Sequence, residues 1–256
     1  MVSLDIRQFP CLNDNYGYLI CDMASGAVAT IDTPAAEAIN QELEKAGWRL
    51  THILNTHHHF DHTGGNLALK ERWGCKIIGP RAEAARIPGI DEQVGDGDTL
   101  MLGDSRAVVI DTPGHTSGHI IFHFEEDGAA FVGDTIFAAG CGRLFEGTPA
   151  QMWDSLLKIA DMPARTKLYC AHEYTMANVA FALSVDGENE ALRARKTEVD
   201  RLRAEGLPTV PTTVADELAT NPFLRARDDD FKAGLGMNGA SDVDVFAEAR
   251  RRKDSF

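Results

Sequence analysis

Thr56-His57-His58-His59-Phe60-Asp61-His62 comes just after the apolar pair Ile53-Leu54 and just before Gly64-Gly65. Four imidazoles and a carboxylate fall within six residues, with no cysteine among them. Neutral imidazole nitrogen and carboxylate oxygen are ligands for first-row divalent metals. His57 and His59 are two apart, so an extended backbone would send both rings to one side and His58 to the other. Asp61 and His62 follow directly and need a turning backbone to aim at a neighbouring point. One short loop can then serve two ions. A solvated polar turn is the plain alternative, and the density of donors behind a strand-like run argues against it.

Working outward, three more strand-like runs end in polar residues. Val108-Val109-Ile110-Asp111 leads to Thr112-Pro113-Gly114-His115-Thr116, Ala129-Ala130-Phe131-Val132 to Gly133-Asp134-Thr135, and Lys167-Leu168-Tyr169-Cys170 to Ala171-His172-Glu173-Tyr174. Loops gather over strand ends, and sites form there. Singly, each of these segments is an ordinary turn. With the histidine loop they supply a two-metal donor set. His57, His59 and His115 would hold one ion, Asp61, His62 and His172 the second, and Asp134, with two oxygens, would bridge both. Seven ligands leave positions open for water, unlike a closed structural zinc site. Two ions about 3.5–4 Å apart lower the pKa of that water and polarise a carbonyl. The chemistry expected is hydrolysis, with Asp61 and Asp134 as catalytic candidates. The expected cofactors are two divalent ions, zinc foremost, with iron or manganese as alternatives.

The other histidines are weighed differently. His52 and His123 sit in strand-like runs and read as structural, while His119 stays open. Asp32 and Asp111 are either acceptors behind ligand imidazoles or simple turn formers.

At 256 residues the chain has room for one large domain or a domain plus a smaller one. Its apolar fraction of 44% and charged fraction of 25% are those of an ordinary globular protein. No apolar run is long enough to span a bilayer. Met1-Val2-Ser3-Leu4-Asp5-Ile6-Arg7 lacks the basic-then-apolar pattern of a secretory signal, so a cytoplasmic location is expected. Five widely spaced cysteines without a Cys-x-x-Cys pair read as free thiols. A net charge of -14 disfavours nucleic acid and anionic membranes as partners. Against it, Arg250-Arg251-Arg252-Lys253 is a local basic cluster, whose plain reading is a solvated helix end. A monomer is expected. No Gly-x-Ser-x-Gly elbow, phosphate loop or dinucleotide fingerprint occurs. Cys170 shares a strand face with His172, but nothing marks it as an activated nucleophile.

Strands are expected at Leu4–Phe9, Tyr16–Cys21, Val28–Ile31, His52–Leu54, Lys76–Ile78, Ala107–Ile110, Ile120–Phe124, Ala129–Val132 and Lys167–Cys170. Helices are expected from a Thr33 cap with Pro34 at the first position to Ala46, over Asn66–Trp73, and from a Thr148 capping box to Ala160. After His172 the pattern turns helical, at Ala177–Leu183, Glu190–Ala204 and Asp242–Lys253, with no strand beyond Cys170. The expectation is an α/β fold followed by a helical region.

Thr56-His57-x-His59-x-Asp61-His62, with His115, Asp134 and His172 in that order, resembles the metallo-β-lactamase superfamily, and the resemblance implies an αββα sandwich. Leu12-Asn13-Asp14-Asn15-Tyr16, Cys141-Gly142-Arg143-Leu144-Phe145-Glu146-Gly147-Thr148, His172-Glu173-Tyr174-Thr175, Asn221-Pro222-Phe223-Leu224-Arg225 and Arg252-Lys253-Asp254 look like the glyoxalase II family. That likeness covers essentially the full chain. It implies hydrolysis of S-D-lactoylglutathione to D-lactate and glutathione, the second step of methylglyoxal detoxification. It also implies a catalytic domain over residues 1–172 and a helical, glutathione-substrate-binding domain over residues 173–256. Arg143, Phe145, Tyr174, Arg250 and Lys253 are the implied substrate contacts. Phe145 departs from the Tyr of familiar members and lacks its hydroxyl. The alternatives are a persulfide dioxygenase, a lactonase or β-lactamase, and a non-hydrolytic di-iron module.

Overall fold

Residues 4–256 are described by the computed structural model; Met1–Ser3, the start of the stretch read for a secretory signal, lie outside the described residues. By packing the chain forms two units, one of the residues up to Asp111 with Ser117–Gly133, the other of Thr112–Thr116 with Asp134–Phe256.

The first unit contains β1 (Leu4–Cys11), β2 (Asn15–Asp22), β3 (Val28–Ile31), α1 (Ala36–Ala46), β4 (His52–Leu54), α2 (Phe60–Thr63), α3 (Asn66–Trp73), β5 (Lys76–Pro80) and β6 (Glu92–Val94). It continues with β7 (Thr99–Leu102), β8 (Ser105–Asp111), β9 (Ile120–Phe124) and β10 (Ala129–Gly133). One sheet runs β1-β2-β3-β4-β5-β6, antiparallel to β3 and parallel from there to β6. In the other, β10-β9-β8-β7 are antiparallel neighbours. Leu19, Ile53 and Ile77 of the first sheet share a core with Ile39 and Leu43 of α1 and Leu69 of α3. Tyr18, one residue along and so on the opposite face, meets Phe131 of β10 at 5.6 Å between ring centroids. Both faces of β2 are therefore covered, which is why every one of its residues is buried. Each fully buried Leu or Ile here contributes roughly 1.5–3 kcal/mol.

Thr33 does not cap α1, and Pro34 is not its first residue. The helix begins at Ala36, and its N-cap, Ala35, makes no side-chain bond. Thr33 is engaged elsewhere: its N–H donates to His62 O at 2.9 Å and its hydroxyl to Asn66 Oδ1 at 2.7 Å. The far end follows the sequence, with Gly47 closing the helix at φ 67°.

The second unit contains β11 (Ile136–Phe137), β12 (Gly140–Cys141), α4 (Pro149–Ala160), β13 (Lys167–Cys170), α5 (Thr175–Val185), α6 (Glu190–Ala204), β14 (Thr212–Thr213), α7 (Val214–Thr220), α8 (Asp229–Leu235) and α9 (Asp242–Asp254). β11 and β12 form a short antiparallel hairpin. Thr148 and Gln151 make the capping box read from the sequence. A strand does follow Cys170: β14 pairs antiparallel with β13. Two residues are too few to show an alternating pattern, so this strand exists only through its partner. The core of the unit includes Val179, Ala182, Leu192 and Val199, from α5 and α6. A ladder of rings adds to it: Phe181 to Phe223 at 6.0 Å, Phe223 to Phe246 at 5.9 Å and Phe246 to Trp153 at 6.0 Å.

Candidate metal centre

In the first unit the histidine loop leaves β4 and turns through the single turn of α2, which supplies the bend that Asp61 and His62 require. Asp32, buried at the end of β3 with φ 56°, organises this loop. One of its oxygens accepts the Thr56 N–H at 2.8 Å. The other accepts the Thr56 hydroxyl at 2.8 Å and lies 2.8 Å from His62 Nδ1. With its proton on Nδ1, His62 presents the Nε2 lone pair as a ligand. His62 Nε2 is 3.3 Å from Asp61 Oδ2, which accepts from Asn15 Nδ2 at 3.0 Å. His57 Nε2 and His59 Nδ1 converge to 3.0 Å. The donor atoms of His57 and His62 lie within 4.8 Å of one another.

His58 turns away, as alternation predicts. Its N–H donates to Glu83 Oε2 at 2.8 Å, and its Nδ1 lies 2.7 Å from the same oxygen. The other Glu83 oxygen accepts the Gly118 N–H at 2.9 Å. A Cβ on Gly118 would lie 2.6 Å from Ala82 Cβ, so only glycine permits this approach. His119 stacks on the His57 ring at 4.7 Å and 28°. Glu83 is wholly buried, and sequence reasoning missed it: its 3₁₀ turn, Arg81–Arg86, carries three charges and reads as surface.

The second unit carries His115, Asp134 and His172, all buried. Asp134 Oδ2 lies 3.4 Å from His115 Nε2 and 3.5 Å from His172 Nε2. His115 Nδ1 donates to Arg143 O at 2.8 Å, which again leaves Nε2 as the ligand atom. A buried carboxylate facing two imidazoles is a donor set that fits a divalent cation. Tyr174 lies parallel on the His172 ring at 4.7 Å, and Phe145 meets His115 edge-on at 5.2 Å.

The candidate substrate residues differ sharply in environment. Arg143 and Phe145 have about the same exposure, 60% of the side chain and 60% of the residue respectively. Arg250 is buried: it donates to Cys141 O at 3.1 Å and Asp254 Oδ1 at 2.8 Å, and lies 5.0 Å over Phe223. Asp254 also draws Arg143, whose Nε is 3.6 Å away. Lys253 donates to Ala177 O at 3.2 Å and sits over Phe181 and Phe256. Burial, then the neighbouring Arg250, lowers its ammonium pKa. Arg251 and Arg252 are both paired with Glu248.

Burial pushes the Cys170 thiol up to about 12, which rules it out as a thiolate nucleophile near neutral pH. Burial also lowers the pKa of His52 and of His123, disfavouring the charged form of each.

Two family models match the chain: the metallo-beta-lactamase superfamily over residues 18–172, and the hydroxyacylglutathione hydrolase C-terminus over residues 173–256. A hydroxyacylglutathione hydrolase from Maricaulis maris is 58% identical over 256 residues, covering 100% of both chains. One from Rhodospirillum rubrum is 55% identical with the same coverage. Among solved structures, ETHE1 from Myxococcus xanthus superposes with a TM-score of 0.67 at 25% identity, over 98% of this chain and 100% of that one.

Proposed function

The chain belongs to the hydroxyacylglutathione hydrolase family of the metallo-beta-lactamase superfamily, and on that premise we propose that it hydrolyses S-D-lactoylglutathione and related S-2-hydroxyacylglutathione thioesters to the hydroxy acid and glutathione. It is an α/β enzyme of thioester hydrolysis. One observation carries the substrate reading: a His/Asp donor set and a region matching the hydroxyacylglutathione hydrolase C-terminus occur in one chain.

His57, His59 and His115 are proposed to hold one divalent ion, Asp61, His62 and His172 the other, and Asp134 to serve both, with zinc the expected metal. When bound, the ions would acidify a water and polarise the thioester carbonyl. The chain supplies orientation. Asp32 and the Arg143 carbonyl hold the Nδ1 protons of His62 and His115, so that each Nε2 remains a ligand. Asn15 fixes the Asp61 carboxylate, placing that residue to orient the attacking water as well as to bind metal. The departing thiolate, with an ordinary pKa of about 8.5, needs no dedicated acid.

Glutathione brings two carboxylates to a chain of net charge -14, so local cations must receive them. Arg143, Phe145, Tyr174, Arg250 and Lys253 are proposed to line its site, with residues 1–172 catalytic and residues 173–256 binding the glutathione part. Arg143 and Lys253 would supply the charge. Buried Arg250 would set Asp254, which in turn draws Arg143. A cytoplasmic monomer belongs to the same proposal; no helix among the described residues is long and apolar enough to cross a membrane.

The test is metal analysis of the purified chain together with loss of thioester absorbance on S-D-lactoylglutathione. Two equivalents of metal with turnover are expected. Metal-replete chain without turnover would sink the reading.

A further inference from the structure

We propose that buried polar side chains of the helical region brace the β11–β12 hairpin, and that this brace positions His115 and Asp134; the inference rests on the metal-dependent reading above. Five consecutive residues of the hairpin each have a backbone group met by a side chain. Asn221 Nδ2 donates to Gly140 O at 2.9 Å and makes a weaker, shared contact with Phe137 O at 3.4 Å. Asn178 Nδ2 donates to Ala138 O at 3.2 Å, and Arg250 Nη1 to Cys141 O at 3.1 Å. Glu217 Oε2 accepts the N–H of Ala139, a residue held at φ 56°, at 2.9 Å. All four side chains are buried.

Glu217 is itself fixed by Asn221 at 2.8 Å, Thr212 at 2.7 Å and Arg195 at 2.5 Å. The four bracing side chains are buried, so losing one leaves a buried backbone group to bear its desolvation cost. A Cβ on Gly140 would lie 2.4 Å from Asn178 Nδ2, so the hairpin and its brace are fitted closely.

The hairpin leads straight to the candidate ligands. Asp134 and Thr135 precede β11, and the Gly142 N–H returns to Thr135 O at 3.2 Å. A Cβ on Gly142 would lie 2.0 Å from Asp134 O. One residue further, the Arg143 carbonyl accepts the His115 Nδ1 proton at 2.8 Å. Shifting the hairpin therefore moves the Asp134 peptide, the partner of His115 and the base of the Arg143 side chain together. Asn221-Pro222-Phe223-Leu224-Arg225, left without a role by the sequence, gains one: Asn221 is one of the three donors of the brace, and Phe223 lies beneath Arg250.

The experiment uses the full chain, stripped of metal and titrated with zinc against a chromophoric chelator, alongside kcat, KM and Tm. Asn221→Leu should weaken zinc affinity by about tenfold or more and lower kcat by a similar factor. Arg225→Gln, which breaks partly buried pairs with Asp186 and Asp228 rather than a contact to the hairpin, should lower Tm alone. Wild-type zinc affinity and kcat in Asn221→Leu, or losses matched by Arg225→Gln at equal Tm, would overturn the brace. If Asn221→Leu does not fold, Asn178→Ala decides, with a smaller loss of zinc affinity expected and none overturning the proposal. A wild-type chain that neither binds zinc nor cleaves the thioester would overturn the functional reading instead.

Discussion

The two units hold their candidate ligands by opposite means. In the first, His57, His59, Asp61 and His62 sit on one loop, and acids far away in sequence reach in to fix it: Asp32 behind Thr56 and His62, Glu83 behind His58. In the second, His115, Asp134 and His172 come from three separate segments, and a backbone carbonyl, that of Arg143, fixes His115. A contiguous loop keeps its ligands close through covalent connection and needs only anchors. Dispersed ligands need a framework, and the braced hairpin is that framework. The first arrangement should tolerate losing an anchor better than the second tolerates losing Asp134.

Asp134→Ala removes the oxygen that faces both His115 and His172, and should give the largest effect. Binuclear loading should be abolished and kcat/KM should fall by about a thousandfold or more. Full activity with two metals per chain would break the bridging assignment and, with it, the contrast between the units.

Substituting an anchor should cost less. Asp32→Asn and Glu83→Gln keep the shape while changing what each side chain can accept, and metal affinity should fall by about 10–100-fold. Glu83→Gln acts on the His58 backbone and on Gly118, so it should loosen the His57–His59 pair while the His62 tautomer persists. Chelator competition on the two variants reads this directly. Equal, unaltered affinities would mean that the loop holds its ligands without either acid.

The cations of the second unit come next. Arg143→Ala and Lys253→Ala should each raise KM for the glutathione thioester by about tenfold with little change in kcat, as expected when a charged hydrogen bond to bound substrate is lost. Arg250→Ala should differ, lowering Tm as well, because it leaves Cys141 O and Asp254 without their buried partner. An unchanged KM in Arg143→Ala and Lys253→Ala would refute their contact with substrate.

What the sequence made legible follows the same division. Donor chemistry is confined to few residue types, so His and Asp at strand ends stood out before any geometry. Helix signals that are local, such as the Thr148 capping box and Gly47, carried through because a cap is decided within four residues. Thr33 misled because a cap-forming hydroxyl can equally bond a distant side chain, and here it serves Asn66 at the start of α3. Glu83 and Glu217 were invisible because in sequence one is an acid in a charged turn and the other an acid in the first turn of a short helix beside Asp216, and only tertiary structure buries them. The basic tail was legible as composition but not as environment. Burial of Arg250 and the Glu248 pairs of Arg251 and Arg252 leave it far from a uniform cationic patch.

The smallest predicted effect is at Phe145, where the resemblance read from the sequence implies a Tyr. Phe145 is exposed, and its ring already packs edge-on against His115. Its N–H donates to His115 O at 3.3 Å, so backbone and ring are both placed without a hydroxyl. Phe145→Tyr therefore adds a donor at the rim of the site without moving the ring. One neutral hydrogen bond to the peptide of glutathione is worth about 0.5–1.5 kcal/mol, so KM should fall about two- to tenfold while kcat and metal content stay fixed. A fall in kcat would show instead that the ring moves with His115, and would place Phe145 on the metal side of the second unit rather than on its substrate side. An unchanged KM would mean that the glutathione peptide does not pass within reach of position 145.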